Sequence, residues 1–316
     1  MIDVVALGEL LIDFTCIGSD AQGYPMMQAH PGGAPANFLA ALRKFGVPAA
    51  FLGKVGADAF GDLLLGTLAE AGIETRGALQ AQDVFTTLAF VTLDEKGDRA
   101  FSFARKPGAD TCLKFEELDL CLIDEAKAFH FGTLSLTDEP AREATVRAVA
   151  YAKEKGKLIT CDPNLREPLW ADLQQAKKQM LWSLEQADVV KISEEEVQFL
   201  FSLDAEAGAA HILEEFGTQL VFVTCGEKGC YYLNNQSGGF VPALQGIESV
   251  DTTGAGDIFF GSALSQILQE ACAPGELTDA RLREITRFAC TSAGLSTTKP
   301  GGISSVPELQ EVLQHM

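Results

Sequence analysis

Short apolar runs rich in β-formers alternate with helical patterns along most of this chain, and that rhythm leaves few folds open. Residues 4–7, 49–53, 128–131, 158–161, 189–192 and 220–224 have the length and composition of buried strands. Residues 36–45, 60–71, 141–155, 173–187, 207–216, 258–268 and 281–295 carry helical spacing. A βαβ rhythm of this kind predicts an α/β fold in three layers, a mostly parallel central sheet with helices on both faces. The chain has 316 residues, 47% of them hydrophobic, enough for a sizeable core, and residues 1–316 read as a single domain.

Two stretches break the rhythm. Residues 14–31 show no helical period. Residues 86–105 alternate, with Asp94-Glu95-Lys96-Gly97-Asp98 as a turn between strands at 88–93 and 99–103. Together they predict a small antiparallel β-flap, with segments at about 14–31 and 86–105, acting as a lid that excludes water.

The formal net charge of −20 argues against a nucleic-acid partner or an anionic membrane surface. No apolar run reaches transmembrane length. The opening residues, Met1 to Gly8, lack a basic segment and read as a first strand, so a cytoplasmic location is expected. The eight cysteines form no C-x-x-C pair and read as free thiols, while the four histidines lack zinc spacing.

Ligands of open α/β sheets bind beyond the carboxyl ends of the strands, and the polar motifs of this chain sit there. Asp251-Thr252-Thr253-Gly254-Ala255-Gly256-Asp257 leads into the apolar helix at 258–268. Small residues at a helix N-terminus let backbone N–H groups close on an anion. A carboxylate at Asp257 would repel a resting phosphate but suits a base that takes a proton from a hydroxyl. The plain reading is a tight turn with an acidic first helical turn. Gly32-Gly33-Ala34-Pro35-Ala36-Asn37 precedes another helix, and Asp13 closes the run after the first strand. Asp13 and Asn37 suit vicinal hydroxyls of a polyol, though each alone also fits a cap or a turn. In Asp162-Pro163-Asn164-Leu165-Arg166, Arg166 is placed to brace a phosphate or sugar, or the proline simply sets a turn. Ser193-Glu194-Glu195-Glu196 reads either as a helix start or as a holder of Mg²⁺-bound water. Thr224-Cys225-Gly226-Glu227-Lys228-Gly229 is a glycine-bearing strand exit where a nucleotide would fit. Neither a Walker G-x-x-x-x-G-K-[ST] nor a dinucleotide G-x-G-x-x-G after the first strand is present.

The motifs Gly32–Asn37 and Asp251–Asp257 resemble the two signatures of the ribokinase-like (PfkB) carbohydrate kinases. The likeness runs the whole length, through Gly53–Gly61, Asp162–Arg166, Lys191–Glu196 and Pro300–Pro307. Within that family Gly8–Asp13, Asp162–Arg166 and Lys191–Glu196 look most like fructokinases.

The resemblance implies a ribokinase-like fold and ATP-dependent phosphorylation of a primary hydroxyl, with D-fructose as the substrate. Asp257 would be the base, and Gly254, Ala255 and Gly256 the anion hole. Asp13, Gly32, Gly33 and Asn37 would bind the sugar, with Arg105 and Arg166 closing on it and Phe101 and Phe103 covering it. Ser193, Thr224, Gly226, Gly229 and Cys290 would line ATP, Ser193 replacing the family's asparagine. Glu196 would organise Mg²⁺ through water. Asp251, Thr253, Ser296, Lys299, Gly301 and Ser305 match an activating K⁺ site, and relatives often dimerise through the flap. A 2-keto-3-deoxygluconate kinase would share these motifs and use Arg105 and Arg166 on the substrate carboxylate. A nucleoside kinase would need a roomier apolar pocket, and a non-catalytic scaffold would show erosion of Asp257 or the glycines, which is not seen.

Overall fold

The computed structural model describes residues 2–93 and 99–316; the turn expected over 94–98 and the side chain of Phe101 lie outside what is described. From the N-terminus run β1 (Val4–Leu7), β2 (Leu11–Ser19), β3 (Pro25–Gly32), α1 (Ala34–Lys44), β4 (Ala49–Gly56), α2 (Ala59–Glu70) and β5 (Ala78–Ala81). Next come β6 (Leu88–Leu93), β7 (Arg99–Ala104), α3 (Leu120–Glu125), β8 (Ala128–Gly132), α4 (Ala141–Glu154), β9 (Leu158–Asp162) and α5 (Leu173–Gln186). They are followed by β10 (Val189–Ser193), α6 (Glu194–Phe201), α7 (Ala205–Phe216), β11 (Leu220–Thr224), β12 (Gly229–Asn234) and β13 (Gly238–Pro242). Helices α8 (Ala255–Ile267), α9 (Asp279–Ser296) and α10 (Leu309–His315) come last.

Among the described residues the main sheet has the order β13-β12-β11-β10-β9-β8-β1-β4-β5. It is parallel from β5 to β11, and β12 and β13 add an antiparallel edge. That last hairpin is absent from the expected strands, because Gly238-Gly239 at its return lowers β-propensity. The continuous apolar runs are explained by burial on both faces. In β1, Val4 and Ala6 pack under α1, α8 and α9, with Phe38, Phe260 and Ile285. Val5 and Leu7 pack on the other side, with Leu122, Ala148 and Met180 of α3, α4 and α5.

Helices α1 and α8 cross closely, and glycine makes this possible. A Cβ at Gly261 would lie 2.3 Å from the Phe38 carbonyl oxygen and 2.8 Å from the Ala41 Cβ. The crossing sets the N-terminal ends of the two helices side by side.

The second sheet has the order β3-β2-β6-β7 and is the expected lid. Its two strand pairs are antiparallel, but they join through a parallel ladder, Ile12↔Leu88 to Thr15↔Val91, so the sheet is mixed rather than antiparallel. The reason is directional: β2 and β6 both run outward from the body. Phe14 stacks on Phe90 and meets Phe60 of α2 edge-on, with ring centres 5.4 and 5.5 Å apart, which seats the lid.

The lid's foot corrects one expectation. Arg105 does not reach toward a sugar. Its Nε and Nη2 donate to Asp110 Oδ2 at 2.8 and 2.6 Å, its Nη1 to Thr137 Oγ1 at 2.8 Å, and its Nη2 also to the Leu134 carbonyl. Both charged side chains are 3% exposed. Thr87, just before β6, donates to the other Asp110 oxygen. One carboxylate thus ties both ends of the β6–β7 pair, and the desolvated guanidinium is fully committed.

Two outcomes follow from this packing. Gly261→Ala should destabilise the protein by about 1–3 kcal/mol despite the gain in helix propensity, read as a lower urea midpoint. Arg105→Ala should cost about 3–5 kcal/mol, because it strands Asp110 as a buried unpaired charge. A midpoint unchanged by Arg105→Ala would refute the structural assignment of that side chain.

Candidate active site

The crossing of α1 and α8 builds the centre of the site. Asp257 stands in the first turn of α8, and Asn37 in the first turn of α1. Asn37 Nδ2 donates to Asp257 Oδ2 at 2.9 Å. Gly254 caps α8 in the left-handed region, at φ 76°, which a side chain would disfavour. Among the described residues, the first-turn N–H groups of Gly256 and Asp257 have no backbone acceptor. The result is an anion-binding helix end with a carboxylate at its rim.

The Asp257 carboxyl is pushed above the ordinary carboxylate range. Withdrawal from water is the main cause; the Lys191 ammonium, the Asn37 amide and Arg166 oppose it, and Asp13 adds to it. Such a group takes a proton more readily than a free aspartate does.

Asp13 in β2 faces the same space, and burial pushes its pKa up to about 6 against the pull of Arg166. Gly32 and Gly33 let the chain pass beside it. A Cβ on Gly32 would lie 2.5 Å from Asp13 Oδ2, and one on Gly33 2.6 Å from the Glu9 carbonyl oxygen. Buried Glu9 holds this turn by accepting from the Ala34 N–H at 2.8 Å, a role the motifs did not reveal. His30, also missed, pairs with Asp13 across the β2–β3 ladder and so shares its face. Phe103 lies at the lid's foot, lining a separate cavity of about 670 Å³ with Phe60 and Leu88.

A cleft of about 440 Å³ brings Arg166, Ser193, Glu196, Thr224 and Gly226 together with Gly254, Gly256 and Asp257. Ser193 and Glu196 form a capping box on α6. Ser193 Oγ accepts from the Glu196 N–H at 3.2 Å, and Glu196 Oε2 from the Ser193 N–H at 2.9 Å. Glu196 Oε1 also takes the Leu165 N–H at 2.6 Å, which braces the turn carrying Arg166. The segment is thus a helix start, and its Glu196 lines the cleft.

Two residues expected at the nucleotide are not among those lining this cleft. Gly229 is a glycine because a Cβ there would lie 2.1 Å from the Val241 carbonyl oxygen, and it is packed against β13 rather than the cleft. Cys290 is buried in α9, its thiol pushed up to about 12 by desolvation, and it does not line the cleft.

The matched cation residues gather around one loop. Asp251 Oδ1 accepts from Thr253 N and Oγ1 at 2.9 and 2.7 Å, and its Oδ2 from the Gly301 N–H at 3.0 Å. Ser296 Oγ donates to Ala293 O, Ser305 Oγ to Gly302 O, and Lys299 Nζ points toward Glu311 at 3.6 Å. Both serine hydroxyls spend their hydrogens on backbone carbonyls, which leaves the hydroxyl oxygens as acceptors. No group of three or more His, Cys, Asp or Glu suited to a metal occurs among the described residues.

The residue pair least visible in the motifs is Lys191 and Asp162. Lys191 Nζ donates to Asp162 Oδ2 at 2.9 Å, and both are buried beneath the anion-binding turn.

The comparisons agree with this geometry. Residues 1–309 match the model of the pfkB family carbohydrate kinases. The chain is 41% identical to the probable fructokinase-3 of Arabidopsis thaliana, over 99% of this chain and 91% of that protein. The fructokinase of Xylella fastidiosa with bound ATP superposes with a TM-score of 0.89 at 32% identity, over 98% and 97% of the two chains. A double mutant of the Vibrio cholerae fructokinase, in its fructose-, ADP- and potassium-bound form, gives 0.87 at 30% identity, over 99% and 98%. A carboxylate at a helix N-terminus, a small second sheet beside the main one and a match over residues 1–309 converge on one conclusion: this chain belongs to the pfkB family of carbohydrate kinases.

Proposed function

We propose that this enzyme transfers the γ-phosphoryl group of ATP to the primary hydroxyl of D-fructose, giving fructose 6-phosphate and ADP. The observation that carries this reading is the Asn37–Asp257 pair at the mouth of the α8 N-terminus. Asp257 accepts the hydroxyl proton, and the freed oxygen attacks the γ-phosphorus as the bond to the ADP oxygen breaks. The open N–H groups of the first α8 turn are aimed where negative charge gathers during transfer. Asp13 accepts from sugar hydroxyls, and Arg166, in the cleft's wall, covers the transferring group. Magnesium, brought with ATP, would neutralise charge on the phosphates, and Glu196 would hold its waters. The carbonyls of the loop around Asp251 suit K⁺, and a relative of this chain was solved with that ion.

The runner-up, a 2-keto-3-deoxygluconate kinase, needs cations for a carboxylate. Arg105 is committed to Asp110, which leaves Arg166 alone for that task and favours a neutral sugar. The lid's outer hairpin exposes Ile17, Tyr24 and Met26, consistent with pairing of two copies there. No helix among the described residues is long and apolar enough to cross a membrane, and a cytoplasmic location fits the ATP requirement.

ADP release should be measured with fructose, 2-keto-3-deoxygluconate, ribose and adenosine, with and without K⁺. Fructose should give the highest kcat/KM. Asp257→Asn should lower kcat by roughly 10²–10⁴-fold with the fold intact. The wild-type rate should fall as pH drops through the raised pKa of Asp257, since protonation removes the base. Its acid limb therefore belongs above the ordinary aspartate value of 3.8. Saturable turnover of another acceptor with none on fructose would overturn the substrate assignment.

A further inference from the structure

Lys191 lies in the middle of β10, between Val190 and Ile192, where a buried ammonium is costly. Its placement is specific. A Cβ at Gly256 would sit 2.8 Å from Lys191 Nζ, so the lysine tip is pressed against the underside of the anion-binding turn. Asp162, at the end of β9, accepts from Nζ at 2.9 Å and holds it there. Among the described residues the other Asp162 oxygen is buried without a hydrogen-bond partner, so the lysine is the hydrogen-bond donor to this carboxylate. Lys191 also lines the cleft with Gly254, Gly256 and Asp257.

Three buried or recessed carboxylates surround this one cation: Asp162, Glu196 and Asp257. Asp257 itself is faced by Lys191 from β10, Asn37 from α1, Asp13 from β2, Asp162 from the end of β9 and Arg166 from the turn after it. Without the lysine charge, the base would share a desolvated cleft with like charges and only Arg166 to offset them. A structural pair would need no glycine above it. Gly256 is both a member of the anion hole and the residue whose missing side chain makes room for Nζ.

We propose that Lys191, pinned by Asp162 beneath Gly256, is a positioning residue for catalysis: its charge keeps Asp257 available as a base and supports the anion hole from below. The proposal rests on the kinase reading given above but not on the identity of the sugar.

The test uses the full-length enzyme with whichever sugar the wild type turns over best. A wild type inactive on every sugar would refute the preceding substrate reading. The present proposal would then be read from ATP-competed binding of ADP with fluoroaluminate, a mimic of the transferring phosphoryl group. The variants are Lys191→Met, Lys191→Arg and the paired Lys191→Met with Asp162→Asn, which removes both charges and should fold even where the single variant does not. Lys191→Met should lower kcat about 100-fold while KM for the sugar moves less than about three-fold. Its acid limb should move to higher pH by about one unit, because Asp257 loses its cation. Fluoroaluminate–ADP binding should weaken about ten-fold or more, and Lys191→Arg should restore part of kcat and of the limb. The paired variant should keep the wild-type melting temperature and remain as slow as the single one. Recovery of near wild-type kcat and of fluoroaluminate–ADP binding in the paired variant would overturn the proposal and leave Lys191 as a neutraliser of Asp162 only; the acid limb is read in the single variants, because Asp162 also repels the Asp257 charge and its removal offsets the loss of Lys191.

Discussion

The site depends on the close crossing of two helices distant in sequence. Helix α1 and helix α8 touch where Gly261 faces the Phe38 carbonyl, and that contact sets how far Asn37 stands from Asp257. Each helix end contributes what the other lacks. The α8 end offers open N–H groups and a carboxylate; the α1 end offers an amide that orients the carboxylate and a glycine turn past which the chain reaches Asp13. Because both helices are anchored on one face of the sheet by the same apolar cluster, the active geometry is set by core packing rather than by loops. A methyl group on Gly261, one turn along α8 from Asp257, would therefore press on the same contact that sets this spacing.

Electrostatics add a second layer. The chain carries a formal charge of −20, yet its reaction handles anionic phosphates. The conflict is resolved locally. Backbone N–H groups at α8, Arg166 in the cleft wall and the buried Lys191 concentrate positive potential at one small place, while the surplus acids lie on the outside. A neutral acceptor such as a hexose avoids further demand on those few cations.

Much of this was readable in the residues. The parallel strands show as unbroken apolar runs because both faces are covered, and Asp251–Asp257 announces itself through small residues between two acids. What stayed hidden depended on partners distant in sequence or on unremarkable local chemistry. Arg105 looked like a ligand-closing cation until Asp110, Thr137 and the Leu134 carbonyl were found around it. Lys191 reads as an ordinary strand residue, and only the fold brings Gly256 above it and Asp162 beside it. Gly229 resembles a nucleotide-lining glycine, but its cause is the edge strand β13. Glu196 was visible as an acid at a helix start, though its hold on the Leu165 N–H was not.

The parallel ladder inside the lid has a mechanical consequence. Had the two strand pairs been separate, each would swing on its own stem. Joined from Ile12↔Leu88 to Thr15↔Val91, they form one stiff plate with two stems, one at the Gly32-Gly33 turn and one at the Arg105–Asp110–Thr87 clasp. Tilting such a plate without tearing its hydrogen bonds leaves a single rotation available, about the line that joins the stems. The second strand pair is carried by the first, so a shift at one edge of the plate is shared across its whole width.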